Sequence, residues 1–267
     1  MAEFTAASGT VSLTGVAAGD GPPVVLLHGL TATRDYVIHG SRALERAGHH
    51  VVAYDARGHG ASDPGGAYDY ATLAEDLEAV LDERDLDEVM LAGASMGAHT
   101  AVRFALDHPD RVRSLVVITP GFDPDGAVGT ERWDALAAGL RDGGVDGFMD
   151  AYGPPAVPEQ WRDTVLRIVR RRMEAHQHPD ALADALQGVP RSRPFEGWDD
   201  LGALAVPVLV VASRDEGDPE HPQATAERYA AAIPDARCVI EDPGDSPLAW
   251  QGGQLARVIA GAYAQPS

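Results

Sequence analysis

Ser95 stands in Gly93-Ala94-Ser95-Met96-Gly97, and the chain holds no lysine to work with it, since all 21 basic residues are arginine. That composition excludes Schiff-base chemistry, a Ser-x-x-Lys pair and a P-loop lysine. A serine hydroxyl is a weak nucleophile at neutral pH and needs a neighbouring base to take its proton. Two late segments supply candidates. One is Ser213-Arg214-Asp215-Glu216-Gly217-Asp218-Pro219-Glu220-His221-Pro222; the other is Pro243-Gly244-Asp245-Ser246-Pro247. Other histidines are poorer candidates. His99 lies one turn down the helix leading away from Ser95, and His59, in Arg57-Gly58-His59-Gly60, is of a kind that fixes a loop more often than it moves protons. The pairs His49-His50 and His176/His178 are spaced so that neither converges on one ion, so no metal site is expected.

The elements that must hold these residues follow from hydrophobic pattern. Val24 to Leu27 and Val51 to Tyr54 are too short for helices and end in Gly-rich or charged turns, as buried strands of a parallel sheet do. Runs at Glu88 to Ala92, Ser114 to Thr119, Val206 to Ala212 and Arg237 to Ile240 repeat the pattern. Helical spacing falls between them at about 35–47, 70–84, 97–107 and 223–233, and again at about 248–262. Alternation of this kind predicts an α/β fold, with a mostly parallel central sheet and helices on both faces. Ser95 then sits between a strand and a helix, where Gly93 and Gly97 let the chain turn sharply enough to expose the hydroxyl.

Residues 122–200 break the alternation and read as a helical lid, with helical spacing in Trp161 to Met173 and His178 to Leu186. Residues 1–121 and 201–267 form the core. The lid segment carries Trp133, Phe148, Tyr152, Trp161 and Phe195, expected to line a pocket for a small-molecule substrate. Arg191 and Arg193 could grip an anionic substrate group, although surface ion pairs are the simpler role in so acidic a protein.

Three motifs in order and spacing resemble the α/β-hydrolase superfamily, specifically its small lidded esterase, lactonase and haloperoxidase-like members. They are His28-Gly29-Leu30, Tyr54-Asp55-Ala56-Arg57-Gly58-His59-Gly60-Ala61-Ser62, and the turn around Ser95. The resemblance implies that Ser95 is the nucleophile and that the backbone N–H groups of Leu30 and Met96 form an oxyanion hole. His28 would then help shape the pocket without acting as a base. The family's acid maps to Asp218 or Asp215. Its base, a histidine in a Gly-His turn, maps to Asp245.

Three readings follow from that departure. In the first, the protein is a serine hydrolase of small esters, lactones or thioesters, with a carboxylate, Asp245 beside Asp215 or Asp218, in place of the histidine. Sharing one proton, such a pair would favour acid conditions. A variant exchanges the loops' roles, with His221 as base and Asp245 as its orienting acid. In the second, the pocket binds ligand without turning it over. In the third, it serves a lyase, isomerase or cyclase.

At 267 residues and 28.1 kDa the chain suits one α/β domain with an insertion. A formal net charge of −20 repels polyanions, so Arg170-Arg171-Arg172 is expected on a solvated helix face and no nucleic-acid partner is expected. The lone Cys238, the N-terminal Met1-Ala2-Glu3-Phe4-Thr5 and the absence of a long apolar run lead to the expectation of a cytoplasmic protein off the membrane. No cofactor is expected, and homo-oligomerisation is left open.

Overall fold

A computed structural model describes residues 1–127, 129–214, 221–242, 250 and 252–263. In chain order these form β1 (Ala2–Ser8), β2 (Val11–Ala18), β3 (Pro23–Leu27), α1 (Ala43–Arg46), β4 (His50–Tyr54), α2 (Tyr70–Glu83), β5 (Val89–Ala94), α3 (Met96–Asp107) and β6 (Val112–Ile118). After β6 come three consecutive helices, α4 (Glu131–Tyr152), α5 (Glu159–Glu174) and α6 (Pro179–Gly188), and then β7 (Val208–Ala212), α7 (Gln223–Ala232), β8 (Arg237–Ile240) and α8 (Gly252–Tyr263).

The eight strands form one sheet in the order β1-β2-β4-β3-β5-β6-β7-β8. β1 pairs antiparallel with β2, and β2 antiparallel with β4, while all later pairs are parallel. Successive residues of the central strands feed opposite faces. Val25 and Leu27 of β3 join α2, α3 and α7 through Leu77, Leu81, Phe104 and Tyr229, whereas Val24 and Leu26 join α1 and α8 through Leu44, Leu255 and Ile259. Both faces are thus covered, which is why the strands read as continuous apolar runs. A third cluster joins the inserted helices to the site described below, with Leu136, Leu140, Phe148, Val169, Met173 and Leu182 packed on Leu30, Ala56 and Met96.

Several elements differ from the sequence expectation. The β1–β2 hairpin is hidden by its small residues, and it closes through Gly9 at φ 59°. The helix expected over 35–47 shrinks to Ala43–Arg46, because His39 at φ 48° and Gly40 at φ 70° interrupt it. In the insertion, α4 runs for 22 residues with a kink at Gly144 (φ 59°), a length its glycine-rich sequence conceals.

Two glycines set the distance between α3 and the sheet. A Cβ on Gly97 would lie 2.2 Å from the carbonyl oxygen of Leu27 in β3, and one on Gly93 would lie 2.1 Å from the carbonyl oxygen of Gly97. Backbone is packed on backbone there, so no side chain can move aside. Gly97→Ala is therefore expected to cost about 3 kcal/mol and to lower the thermal midpoint by roughly 10 °C. Differential scanning calorimetry of the variant checks this, and an unchanged midpoint contradicts it.

Candidate active site

Ser95 joins β5 to α3 with φ 51° and ψ −114°, a conformation that L-residues other than glycine rarely adopt. Its N–H bonds to the Ile118 carbonyl at 3.0 Å and its carbonyl accepts from His99 N at 3.1 Å, so the turn is tied at both ends. The side chain is half-buried. Met96 opens α3, and its N–H therefore belongs to the first helical turn, where no intrahelical acceptor exists. The turn after β3 reaches the same point, since a Cβ on Gly29 would stand 3.6 Å from Ser95 Cβ. Leu30 and Met96 thus flank the serine from two directions.

The side chain on the hydroxyl is an imidazole: His221 Nε2 lies 2.8 Å from Ser95 Oγ. Among the described residues His221 is the titratable side chain on Ser95 Oγ, the one that the exchange of loop roles would place there. Pro222 follows His221 and opens α7 (φ −55°, ψ 133°), and the restriction it places on the preceding residue leaves the ring within reach of the serine. Asp215, Asp218 and Asp245 lie outside the described residues.

The other histidines near the site serve the backbone. Two amides, Gly121 N–H at 3.2 Å and Phe122 N–H at 3.1 Å, donate to His99 Nε2. Its proton is therefore on Nδ1, facing Tyr70 Oη at 3.0 Å. His28 Nε2 accepts from Ala56 N–H at 2.9 Å, which puts its proton on Nδ1, donated to the Gly29 carbonyl at 2.8 Å. Both nitrogens are thus engaged by backbone and the residue is 2% exposed, so His28 holds the turn and is not placed to act as a base. His59 lies between two carbonyls, Leu30 O at 2.7 Å and Arg57 O at 2.9 Å.

The loop after β4 is held by charge. Asp55 accepts from the Arg34 guanidinium, from Arg34 N–H at 2.8 Å and from Ala61 N–H at 3.0 Å. Arg57 grips Asp76 of α2 with two bonds, Nε to Oδ2 at 2.7 Å and Nη2 to Oδ1 at 2.6 Å. Both partners are buried, and desolvation is offset by the paired geometry. No local motif in the sequence points to Asp76, because its partner is 19 residues away.

Of the aromatic residues expected over the pocket, Phe148 is buried in the cluster with Leu30 and Met96, and Trp133 and Tyr152 pack against that cluster. Trp161 is half-buried in the first turn of α5. Phe195 lies in a different cluster, with Tyr229 and Ala226, where it packs edge-on against Phe122 (5.1 Å) and Tyr229 (5.7 Å). Arg191 Nη2 donates to both carboxylate oxygens of Asp134 (2.7 and 2.9 Å), and Arg193 donates to the Pro124 and Glu196 carbonyls. Within the arginine run, Arg170 pairs with Asp146 at 2.6 Å, whereas Arg172 turns toward the site and donates to Thr31 Oγ1 at 2.8 Å.

A serine on a strained strand-to-helix turn with an imidazole on its hydroxyl, on a sheet of this order, defines an α/β-hydrolase type of site. The family model of the alpha/beta hydrolase fold matches residues 22–155, and the chain belongs to that family. Over 258 residues it is 30% identical to the non-heme chloroperoxidase CPO-A1 of Kitasatospora aureofaciens, spanning 88% of each chain. Over 228 residues it is 32% identical to 2-hydroxy-6-oxononadienedioate/2-hydroxy-6-oxononatrienedioate hydrolase 2 of Pseudomonas putida, spanning 80% of this chain and 77% of that protein. The enol-lactonase from Burkholderia xenovorans LB400 shares the fold, with a TM-score of 0.77 over 97% of both chains at 22% identity. Among the described residues no helix is long and apolar enough to cross a membrane.

Burial makes the histidines around the site sensitive to acid. Desolvation is the largest cause in each case, and it lowers His28, His99 and His176 to about 3; His59 is lowered by the same cause. In the unfolded chain each takes up a proton near pH 6.5. Between these values the unfolded state binds more protons, so stability rises with pH across the window and is lost as pH falls through it, on the order of 1 kcal/mol per pH unit for each of His28, His99 and His176, and His59 adds to the loss in the same direction. Above about pH 6.5 both states are neutral and this loss vanishes. The urea midpoint is expected to fall markedly from pH 7 to pH 5, and an equal or higher midpoint at pH 5 contradicts the burial of neutral rings.

Proposed function

We propose that the protein is a serine hydrolase acting on a small carboxylic ester, lactone or thioester, with Ser95 as nucleophile and His221 as its base. The single observation that carries this reading is the 2.8 Å approach of His221 Nε2 to Ser95 Oγ on a strained elbow. Nε2 accepts the hydroxyl proton as Oγ attacks the substrate carbonyl carbon. Negative charge then gathers on the carbonyl oxygen, where the N–H groups of Leu30 and Met96 receive it; aimed donors of this kind contribute on the order of 3 kcal/mol each. As the tetrahedral intermediate collapses, Nε2–H returns the proton to the leaving oxygen or sulfur. Water, deprotonated by His221, then attacks the acyl-enzyme and releases the acid and Ser95.

His221 must be held in the tautomer that leaves Nε2 free to accept. The exchange of loop roles assigns that task to Asp245, with Asp215 and Asp218 as the other acids of the two loops. The helical insertion is read as a lid over residues 122–200, supported by the packing of Phe148, Trp133 and Tyr152 with Leu30 and Met96. The alternative of a binding module without turnover rests on Asp245 at the family's histidine position, and the approach of His221 to Ser95 favours turnover over it. The relatives support small substrates, since one is named for hydrolysis of a small oxo-acid.

Hydrolysis of p-nitrophenyl acetate tests the reading. Ser95→Ala is expected to abolish it, His221→Ala to lower kcat/KM by about a thousandfold, and Asp245→Asn by at least about tenfold. Hydrolysis that survives in Ser95→Ala, or a His221→Ala variant as fast as the parent, contradicts the mechanism.

A further inference from the structure

Three consecutive carbonyls of the turn after β3 are each met by a different buried histidine. His28 Nδ1 holds Gly29 O at 2.8 Å, His59 Nε2 meets Leu30 O at 2.7 Å, and His176 Nε2 meets Thr31 O at 3.4 Å. The rings are packed in a row, tilted by 52° from His28 to His59 (centroids 5.1 Å apart) and edge-on at 69° from His59 to His176 (5.6 Å). His28 and His59 come from the core, from the two loops that carry the sequence motifs. His176 comes from the insertion, just beyond α5.

His176 is fixed at its other nitrogen as well. Gly60 N–H donates to His176 Nδ1 at 3.0 Å, and Gln177 N–H donates to the Gly60 carbonyl at 2.9 Å. An acceptor at Nδ1 places the proton on Nε2, the atom that faces Thr31 O. Gly60 leaves no room for a side chain, since a Cβ would stand 2.1 Å from Asp55 Oδ2. One turn earlier, Arg172 donates to Thr31 Oγ1. The stretch from Arg172 to Gln177 therefore holds both loops that frame the serine.

The geometry of the peptide unit gives these contacts a direction. A trans peptide is planar, so fixing a carbonyl also fixes the N–H on the opposite side of the same plane. The Leu30 N–H shares its plane with Gly29 O, which accepts from His28 Nδ1 and from Ala32 N–H at 3.0 Å. The next two planes are held by His59 and His176. A neutral His59 can donate to only one of its two carbonyls, so the His176 bond to Thr31 O is a second restraint on the side of the turn that His59 can release.

We propose that His176 is a positioning residue for the oxyanion amide: through Thr31 and the packed ring of His59 it couples the seating of the helical insertion to the aim of the Leu30 N–H. This rests on the reading that Leu30 N–H receives the substrate's negative charge. A misaimed donor harms the tetrahedral state more than the flat ground state, so the signature is a loss in kcat.

The test compares the full-length wild type with His176→Phe, which keeps a flat ring against His59 but has no ring nitrogen, and His176→Gln, which returns an N–H within reach of Thr31 O. Kinetics on p-nitrophenyl acetate are paired with the affinity of an aryl trifluoromethyl ketone, which adds to the serine and forms an oxyanion. His176→Phe is expected to lower kcat by about tenfold, with KM within about twofold, and to weaken the ketone by the same factor. His176→Gln is expected to stay within about threefold of the parent. Should the Phe variant not fold, His176→Asn, which accepts from Gly60 but is too short for Thr31, is expected to show the same loss. A folded Phe or Asn variant with kcat and ketone affinity within about twofold of the parent, or a loss confined to KM, overturns the proposal. A wild type with no Ser95-dependent hydrolysis and no ketone binding is a different failure, that of the hydrolase reading itself, and the proposal falls with it.

Discussion

The backbone at Ser95 is the constraint on which the site depends. A non-glycine residue at φ 51° costs on the order of 1–3 kcal/mol and persists only where its surroundings leave no alternative. Here they leave none: α3 lies on β3 and β5 at a distance that only Gly93 and Gly97 permit, and the N–H and carbonyl of Ser95 are both committed. The turn lifts Oγ clear of the sheet edge and starts α3 one residue later, so the Ser95 hydroxyl and the Met96 amide of the first helical turn come from the same bend. Everything else at the site is brought to that point by loops at the C-terminal ends of neighbouring strands, the usual place for chemistry on an open α/β sheet.

Those loops are fixed by buried polar groups rather than by apolar packing. Asp55, Arg57, Asp76, His28, His59 and His176 are all buried or nearly so, and each satisfies backbone or a charged partner. Their side-chain bonds replace the regular ladder that a loop lacks. The same arrangement explains why four buried imidazoles are held neutral more firmly than usual, since a cation in any of these places would be stripped of water.

Much of the core was legible in the sequence. The apolar runs from Val24 and Val51 and the Gly-x-Ser-x-Gly turn each carry a local signature, of period, length or glycine spacing, and each maps onto an element in place. The β1–β2 hairpin was not legible, because Ala, Ser, Gly and Thr alternate too weakly in hydrophobicity, and the long α4 was masked by its glycines. His221 on the serine was harder still. Its reach depends on how a loop 126 residues from Ser95 in the chain folds back, and no spacing within that loop distinguishes a base from a helix-start residue. The pairing of Arg57 with Asp76 and of His176 with Gly60 is non-local in the same way, and tertiary structure alone reveals it.

The central claim is that His221 activates Ser95. Labelling with a fluorophosphonate tests it most directly, because the reaction needs the activated hydroxyl and no knowledge of the natural substrate. Peptide mass mapping after labelling at neutral pH is expected to find the adduct on Ser95 in the wild type, with the rate of labelling strongly reduced in His221→Ala. No adduct on Ser95, or an adduct that forms as fast without His221, would contradict it.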